Sequence, residues 1–337
     1  LFDRTADAVR QLGARIVSQD VFHMTLHHGP TIKRLQEAEG TVRWPVTWME
    51  NGRGDPPLAG TRVHAVQGTE VQTLELRGRV VGSAYDGRHA RHVTLGDLRD
   101  ENAARPRPEQ AQRVLDDMIE GLALAGMDFS NVIRTWFYND DILDWYGDFN
   151  RVRTAFFNAH GVFDRMVPAS TGIGAGNPFE SALTAGLIAA EPHSAAVHIH
   201  AVPSPLQSSA MDYGSSFSRA VEFSAPDHRR LWVSGTAAID REGHTVHVGD
   251  VVAQTDLTMR VVGAILESRG MGWSHVVRAV AYVREADDAP VFNAYCRRHG
   301  LEHMPTILTN NTVCRDDLLF ELEVDAIKPG GRAQRQD

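Results

Sequence analysis

Cysteine is scarce in this chain, which has only Cys296 and Cys314 among its 337 residues. Two cysteines without a C-x-x-C pair cannot form a disulfide framework and give no redox or metal-binding cysteine motif. The sequence also lacks an apolar run of the roughly 20 residues that cross a bilayer. Residues 1–4 carry no basic-then-apolar secretory pattern. We therefore expect a cytoplasmic protein that does not act at a membrane.

An excess of positive charge is absent as well. The chain has 34 Lys and Arg against 43 Asp and Glu, a formal net charge of −9. Such a chain repels the phosphate backbone that nucleic-acid binding must neutralise, so we expect no nucleic-acid partner. A hydrophobic content of 42% and a charged content of 23% are typical of a soluble globular protein, and the length favours two domains.

One pattern of residues occurs twice. Residues 110–150 and 254–293 share the order Q-x11-L-x3-G-x3-S-x-V-[IV]-R-x3-Y, followed by F-N. The matched positions up to the tyrosine share one offset of 144 residues (254 − 110): Gln110/Gln254, Leu122/Leu266, Gly126/Gly270, Ser130/Ser274, Val132/Val276, Arg134/Arg278 and Tyr138/Tyr282. A constant offset over so many positions indicates two copies of one supersecondary unit.

Each copy has the pattern of a helix, a strand and a second helix. In the first copy, apolar residues recur at helical spacing over 110–124 and again over 143–157, with a β-branched and aromatic strand at 132–138 between them. Hairpin-like strands precede each copy and a last strand closes it: 61–81 and 183–190 in the first half, 230–248 and 318–327 in the second. The order β-β-α-β-α-β, twice, predicts an α+β protein with helices on one face of each mixed sheet.

The boundary between the halves is expected near residues 191–205, where Pro192, Pro203 and Pro205 interrupt the pattern. We predict an N-terminal extension at 1–60, a first domain at 61–195 and a second at 196–337. An irregular loop at 203–220 holds Tyr213 and Arg219 among small residues. A long irregular loop in a compact chain is often functional, so we predict an active-site loop, the alternative being a cover over the domain junction.

Several motifs of the second half resemble the Rid (YjgF-type) superfamily. They are V-S-G-T-A at 233–237, L-x3-G at 266–270, F-N-x-Y at 292–295 and F-E-L-E-V at 320–324. The two-copy arrangement, residues 167–174 and the strand around Arg134 are similar to the chorismatases in particular. That resemblance implies two tandem Rid-like domains, a trimer, and no cofactor. It also implies cleavage of the enolpyruvyl ether of chorismate or a related small carboxylate, giving pyruvate and a hydroxybenzoate-type product.

The resemblance also implies roles for individual residues. Glu321 corresponds to the acid/base carboxylate, and burial in an apolar strand would raise its pKa towards the range of a general acid. Cys314 and Gly235 correspond to positions where a cysteine and a small residue accompany the hydroxybenzoate outcome, and alanine at both accompanies hydrolysis. Arg134 corresponds to an arginine that holds a substrate carboxylate, although a structural ion pair would also explain it. We assign Tyr213, Arg219 and Gly174 to the substrate site as well.

The chain departs from the pattern at two arginines. The second carboxylate-binding arginine of chorismatases falls on Ala294, and the arginine of Rid deaminases, expected just after Pro305, is replaced by T-I-L at 306–308. A Rid-type imine deaminase or a non-catalytic metabolite-binding protein is therefore the alternative function.

Metal and phosphate motifs are weak. His198 and His200, and the cluster His23, His27 and His28, have no acidic or cysteine ligand at matching spacing. The glycines at 172, 174 and 176 are not followed by the Lys-Ser/Thr of a phosphate loop, so they more simply allow a close approach of the backbone to a ligand or a strand. We predict no metal ligands.

Overall fold

The structure is a computed structural model that describes residues 1–52 and 58–330. Its first part is a three-stranded sheet of order β2-β1-β3, with two helices. The elements are α1 (Phe2–Gln11), β1 (Arg15–His23), α2 (His28–Glu39), β2 (Val46–Glu50) and β3 (Leu58–Val66). The predicted boundary at residues 60 and 61 falls inside β3, which pairs antiparallel with β1. This sheet therefore reaches past residue 60.

A six-stranded sheet of order β4-β5-β6-β9-β7-β8 follows. Its neighbouring strands are antiparallel except β7 and β8, which are parallel and are connected through α4. The elements are β4 (Val71–Leu76), β5 (Arg79–Asp86), β6 (Ala90–Leu98), α3 (Arg107–Ala123), β7 (Val132–Asn139), α4 (Ile142–Ala159), β8 (Ala169–Gly174) and β9 (Leu183–Pro192).

The second six-stranded sheet repeats this topology, with the order β10-β11-β12-β15-β13-β14 and a parallel β13–β14 pair. The elements are β10 (His198–Val202), β11 (Ala220–Ser224), β12 (His228–Ala237), α5 (Val251–Ser268), β13 (Val276–Val283), α6 (Ala289–His299), β14 (Thr306–Asn310) and β15 (Phe320–Pro329). The predicted α+β class and the twofold repeat are confirmed.

Each copy has two strands more than the predicted order. The hairpin predicted at 61–81 falls on β3, β4 and the start of β5, and the one predicted at 230–248 contains only β12. The strands that were not predicted are β6, β10, β11 and the parallel edge strands β8 and β14. β8 has the sequence A-S-T-G-I-G, whose small residues show none of the alternation of apolar and polar residues that marks a half-buried strand. Its pairing with β7 is a tertiary feature that the local sequence does not encode.

The helices cover one face of each six-stranded sheet. α3 and α4 pack on the first sheet through Val114, Met118, Phe149 and others, and α5 and α6 pack on the second. Phe320, Leu322 and Val324 of β15 belong to the second core. Since side chains alternate along a strand, Glu321, Glu323 and Asp325 lie on the opposite face.

That opposite face belongs to a third core, to which all three sheets contribute. Phe22 and Met49 come from the N-terminal sheet, Trp136 and Tyr138 from the first six-stranded sheet, and Tyr282 from the second. One chain thus brings three sheets around a common centre. The trimer stays a prediction. Among the described residues, no helix combines the length and apolarity needed to cross a membrane.

Candidate functional site

The acidic face of β15 is the most highly charged part of the third core. Glu321, Glu323 and Asp325 are all buried there. Glu323 is completely enclosed and accepts hydrogen bonds from Arg134, Arg278 and Trp136. Burial alone would raise the pKa of Glu323, but Arg278 and Arg134 outweigh it and hold the pKa below its usual range. Glu323 is therefore an anion that binds two arginines from the two repeats.

Arg134 is a partner of this anion. Its Nη2 lies 2.5 Å from Glu323 Oε2 and donates to Thr171 Oγ1, and its guanidinium lies 4.6 Å from the centre of the Trp136 ring. The side chain has no exposed surface. This geometry favours the ion-pair interpretation that the sequence left open, because the charge of Arg134 is already compensated.

Glu321 differs from Glu323 although it lies on the same face of the same strand. It is 4% exposed, and its carboxylate takes part in none of the hydrogen bonds or ion pairs found over residues 1–52 and 58–330. Burial, together with the nearby charge of Glu323, raises the pKa of Glu321 to about 8, and Arg134 opposes this only in part. A carboxyl group with this pKa holds its proton at neutral pH and can donate it to a substrate.

Gly235 lies directly against Glu321. A Cβ at this position would stand 2.0 Å from Glu321 Oε1 and 3.1 Å from Thr171, so no other residue fits without moving the carboxylate. The Gly235 amide donates to Thr171 Oγ1 over 3.0 Å. Thr171 also donates to Glu323. Hydrogen bonds therefore connect the Gly235 amide, through the Thr171 hydroxyl, to the Glu323 carboxylate beside Glu321.

Cys314 and Tyr146 lie on the other side of the site. Burial raises the pKa of Cys314 to about 12, and the charge of Glu321 adds to the effect. The thiol is therefore neutral at physiological pH and is a poor nucleophile. Tyr146 from α4 is a close neighbour of Cys314, and burial followed by the thiol raises its pKa as well. Both groups stay uncharged next to the Glu321 carboxyl.

Three arginines near this group have no carboxylate partner in the described part of the chain: Arg153, Arg219 and Arg315. Arg153 is 1% exposed, donates only to the Asn150 side chain, at 2.8 Å, and leaves its Nε without a partner. Burial lowers its pKa, which Tyr146 and Cys314 counteract. Unlike Arg134, Arg153 is a buried cation that has no carboxylate partner among residues 1–52 and 58–330.

Arg219 and Arg315 enclose Tyr213 of the loop predicted to be functional. Their guanidinium carbons lie 5.4 and 5.8 Å from the centre of its ring. Arg219 is 4% exposed, donates its Nε hydrogen to the Ser208 carbonyl and has an unpartnered Nη2. Burial raises the pKa of Tyr213, against the effect of both arginines.

Gly174 lies at a different place from the one predicted. Its amide donates to the Thr312 carbonyl over 2.7 Å, and a Cβ would stand 2.9 Å from that oxygen. It lines a cavity of about 370 Å³ whose walls include Glu50 and Asp140 but neither Glu321 nor Cys314. Of the two interpretations of these glycines, close approach to a neighbouring strand is what the geometry shows.

The structure thus brings Glu321, Gly235 and Cys314 together, with Tyr213 and Arg219 beside them. Three members of this group were not predicted from the sequence: Arg153, Arg315, and Tyr146 as a polar neighbour. Arg153 carried one signal, because it lies four residues from both Phe149 and Phe157 on the apolar face of α4. A charged residue on a buried helical face needs an explanation. Arg315 carried none.

Comparisons with known proteins agree with this fold. The family model of the L-PSP endoribonucleases matches residues 208–328. A chorismatase from Streptomyces rapamycinicus is 30% identical over 224 residues, 58% of this chain and 64% of the relative. A 3-hydroxybenzoate synthase from Streptomyces hygroscopicus is 30% identical over 58% of this chain and 63% of its own. These matches span a little under two thirds of the relatives' lengths.

A solved chorismatase structure superposes with a TM-score of 0.71 and covers 92% of both chains at 20% identity, which is a similarity of fold. The repeated sheets and the match of residues 208–328 to the family model show two halves with a Rid-like fold. Over its matched residues the chain is similar to the chorismatases in sequence, and over most of its length it is similar to a chorismatase in fold.

Proposed function

We propose that the chain cleaves the enolpyruvyl ether of chorismate, or of a closely related dicarboxylate, by acid/base catalysis at Glu321. The observation that carries this proposal is the contrast along β15. Glu323 is an anion bound to two arginines, whereas Glu321 is buried without a partner and has a pKa of about 8. Environments that separate the pKa values of neighbouring carboxyl groups are typical of acid/base pairs in active sites.

Glu321 would donate its proton to the methylene carbon of the enol ether. A C–H bond forms, the carbon–carbon double bond is lost, and the adjacent ether carbon becomes an oxocarbenium ion. An oxygen nucleophile, either water or a group of the substrate itself, captures that carbon. After capture by water, the bond between this carbon and the ether oxygen breaks, and pyruvate leaves a ring that keeps both of its hydroxyl groups. After capture by the ring hydroxyl of the substrate, that bond and the ring C–O bond of the capturing hydroxyl both break, the ring loses a proton and becomes aromatic, and the ether oxygen stays on the ring as the phenol. In both cases the proton of the capturing group returns to the Glu321 carboxylate. For the hydroxybenzoate outcome, pyruvate and hydroxybenzoate together contain the atoms of chorismate, so the step consumes no water and needs no oxidant.

The arginines supply the charge that such a substrate requires. Chorismate carries two carboxylates, and Arg153 and Arg219 are buried cations without an ion pair in the described residues. A guanidinium binds a carboxylate through two parallel hydrogen bonds. We therefore assign the carboxylate contacts to Arg153 and Arg219, with Arg315 and Tyr213 at the edge of the site. Arg134 keeps Glu323 ionised and acts on the substrate only through that anion.

Gly235 and Cys314 would decide how the oxocarbenium ion is captured. Gly235 leaves room against Glu321 Oε1 that any side chain would fill. Cys314 presents a neutral thiol to the same space. In the chorismatases that this chain resembles, a cysteine and a small residue at these positions accompany the hydroxybenzoate product. We propose the same type of product here.

The direct test incubates the purified chain with chorismate and follows pyruvate and aromatic products by liquid chromatography and mass spectrometry. We expect pyruvate and a hydroxybenzoate in equal amounts. Glu321→Gln, which keeps the size of the side chain, is the matched control and should release both at least about a hundredfold more slowly. No pyruvate from the wild-type chain at high enzyme concentration would instead support the deaminase or binding-protein alternative.

A further inference from the structure

We propose a second site on this protein, a zinc site formed by His89, Asp227 and His228 where the hairpin turns of the two repeats meet. His89 lies in the turn between β5 and β6, and Asp227 and His228 lie at the turn between β11 and β12. The site is independent of the proposed catalytic function. It also departs from the expectation that the chain has no metal ligands, because its members are far apart in the sequence.

The ligand atoms already converge. One ring nitrogen of each histidine and a carboxylate oxygen of Asp227 all lie within 4.8 Å of one another. Asp227 Oδ1 is 2.8 Å from His89 Nε2 and 2.7 Å from His228 Nδ1. Zinc needs about 2.0–2.2 Å to each nitrogen or oxygen ligand. Because tetrahedral geometry with such bonds places neighbouring ligand atoms about 3.4 Å apart, Asp227 Oδ1 has to move about 0.6 Å away from each nitrogen to coordinate one ion.

His89 Nε2 supports a ligand role more directly. The atom is buried and has no well-aligned hydrogen-bond partner, although Asp227 Oδ1 is so near. A buried ring nitrogen without a partner is costly, and coordination to a metal would remove that cost. Two imidazoles and one carboxylate form a donor set that suits zinc, with a fourth position open to water.

Backbone hydrogen bonds hold both turns in place. Gly87 donates to the Ala90 carbonyl over 2.8 Å, and His193 donates to the His89 carbonyl over 2.9 Å. On the other side, Ala225 donates to the His228 carbonyl, and Gly330 donates to the Asp227 carbonyl. The ligands are thus presented by two anchored turns, one from each six-stranded sheet. A bound ion would join the two repeats.

Arg88 is the group that competes with a metal. Its Nη1 lies 3.3 Å from Asp227 Oδ2, the oxygen that faces away from the two imidazoles. The Arg88 side chain is 80% exposed, so it can swing into solvent. A neighbouring positive charge weakens cation binding. Removing Arg88 should therefore increase the affinity for zinc. No such increase is expected if the three residues only form hydrogen bonds with one another.

The test is calorimetric titration of the chelator-treated full chain with Zn²⁺. We expect one site of about micromolar affinity, weakened more than about tenfold in His89→Ala and in His228→Ala. His193→Ala is the matched control, because this histidine is close by but outside the cluster, and it should bind as the wild type does. Arg88→Ala should bind at least as tightly as the wild type.

A second measurement separates coordination from a structural effect of the substitutions. Zn²⁺ should raise the melting temperature of the wild-type chain by a few degrees through binding to the folded state, and should not raise that of His89→Ala. Binding by His89→Ala and His228→Ala equal to that of the wild type would overturn the proposal, because the ion would then be held by other surface histidines. So would the absence of wild-type binding at about 0.1 mM Zn²⁺.

Discussion

Replacement of Glu321 by glutamine should stabilise the protein at alkaline pH. Burial raises the pKa of Glu321 from its ordinary value of 4.5 to about 8, so between these values the folded chain binds more protons than the unfolded chain. The free energy of unfolding therefore falls as the pH rises through this window. Glutamine removes the titrating group and keeps nearly the same shape, so the variant should lose this fall.

The structure gives the size of the effect. At about 1.4 kcal/mol for each pH unit, the cost of ionising Glu321 in place is about 5 kcal/mol once the pH exceeds its pKa. About 4 kcal/mol of this cost should appear between pH 5 and pH 9. Because other groups titrate equally in both proteins, the difference in free energy of unfolding between variant and wild type isolates Glu321.

Urea denaturation of both proteins at intervals from pH 5 to pH 9 measures that difference. We expect the stability of Glu321→Gln relative to the wild type to increase by several kcal/mol across the range, with an unchanged dependence on urea concentration. A difference that stays within about 0.5 kcal/mol at every pH would refute the raised pKa and with it the general-acid role.

Glu323→Gln is the matched control on the same face of the same strand. Glu323 has a lowered pKa and pairs with Arg134 and Arg278, so its charge stabilises the fold above its ordinary pKa. Removing it leaves the buried Arg134 without its ion pair and Arg278 with Asp325 as its remaining partner, and should cost about 3–5 kcal/mol at neutral pH. The two substitutions should thus have opposite signs.

The remaining predictions concern catalysis at the same site. Turnover should fall as the pH rises through about 8, where Glu321 loses its proton, and a pH–rate profile with an alkaline limb at that position checks this. Arg153→Met and Arg219→Met should each weaken substrate binding, raising KM by about tenfold to a hundredfold, because each removes a bidentate carboxylate contact worth about 1.5–3 kcal/mol; Arg153→Lys should restore only part of it. Unchanged KM values in both variants would rule out the arginine assignment. Cys314→Ala should shift the products from hydroxybenzoate towards the hydrolysis product more than it changes the rate, as chromatography of the products would show, while a constant product ratio would contradict a steering role.

The sequence was most informative where local pattern and burial coincide. Both copies of the repeat could be recognised because the same residues recur at the same spacing. The bounds of α3, α4 and β7 were predicted closely because their pattern of apolar residues is regular. β8 was missed because its small residues have no periodic pattern. The N-terminal sheet was missed because β1 pairs with both β2 and β3, which are distant along the chain, and pairing across such distances leaves no local signal.

For the candidate site, the position of Glu321 on one face of β15 with Glu323 could be predicted, and the arginines that surround these carboxylates could not. Alternation along β15 placed Glu321 and Glu323 on one face, but only tertiary contacts show that Glu323 binds two arginines and Glu321 none. Arg134 was a reasonable candidate for the substrate because the sequence does not show that Glu323 takes its charge. Arg153 lies on a helix whose packing partner the sequence does not specify.

The measurement that tests the central claim most directly is the turnover of chorismate by the wild-type chain and by Glu321→Gln at neutral pH, with substrate binding measured in parallel. Loss of the proton donor should lower kcat by about 10²- to 10⁴-fold and change KM little. Near-normal turnover of the variant would contradict the account, because the buried, unpartnered carboxyl group on β15 would then not be the catalytic acid.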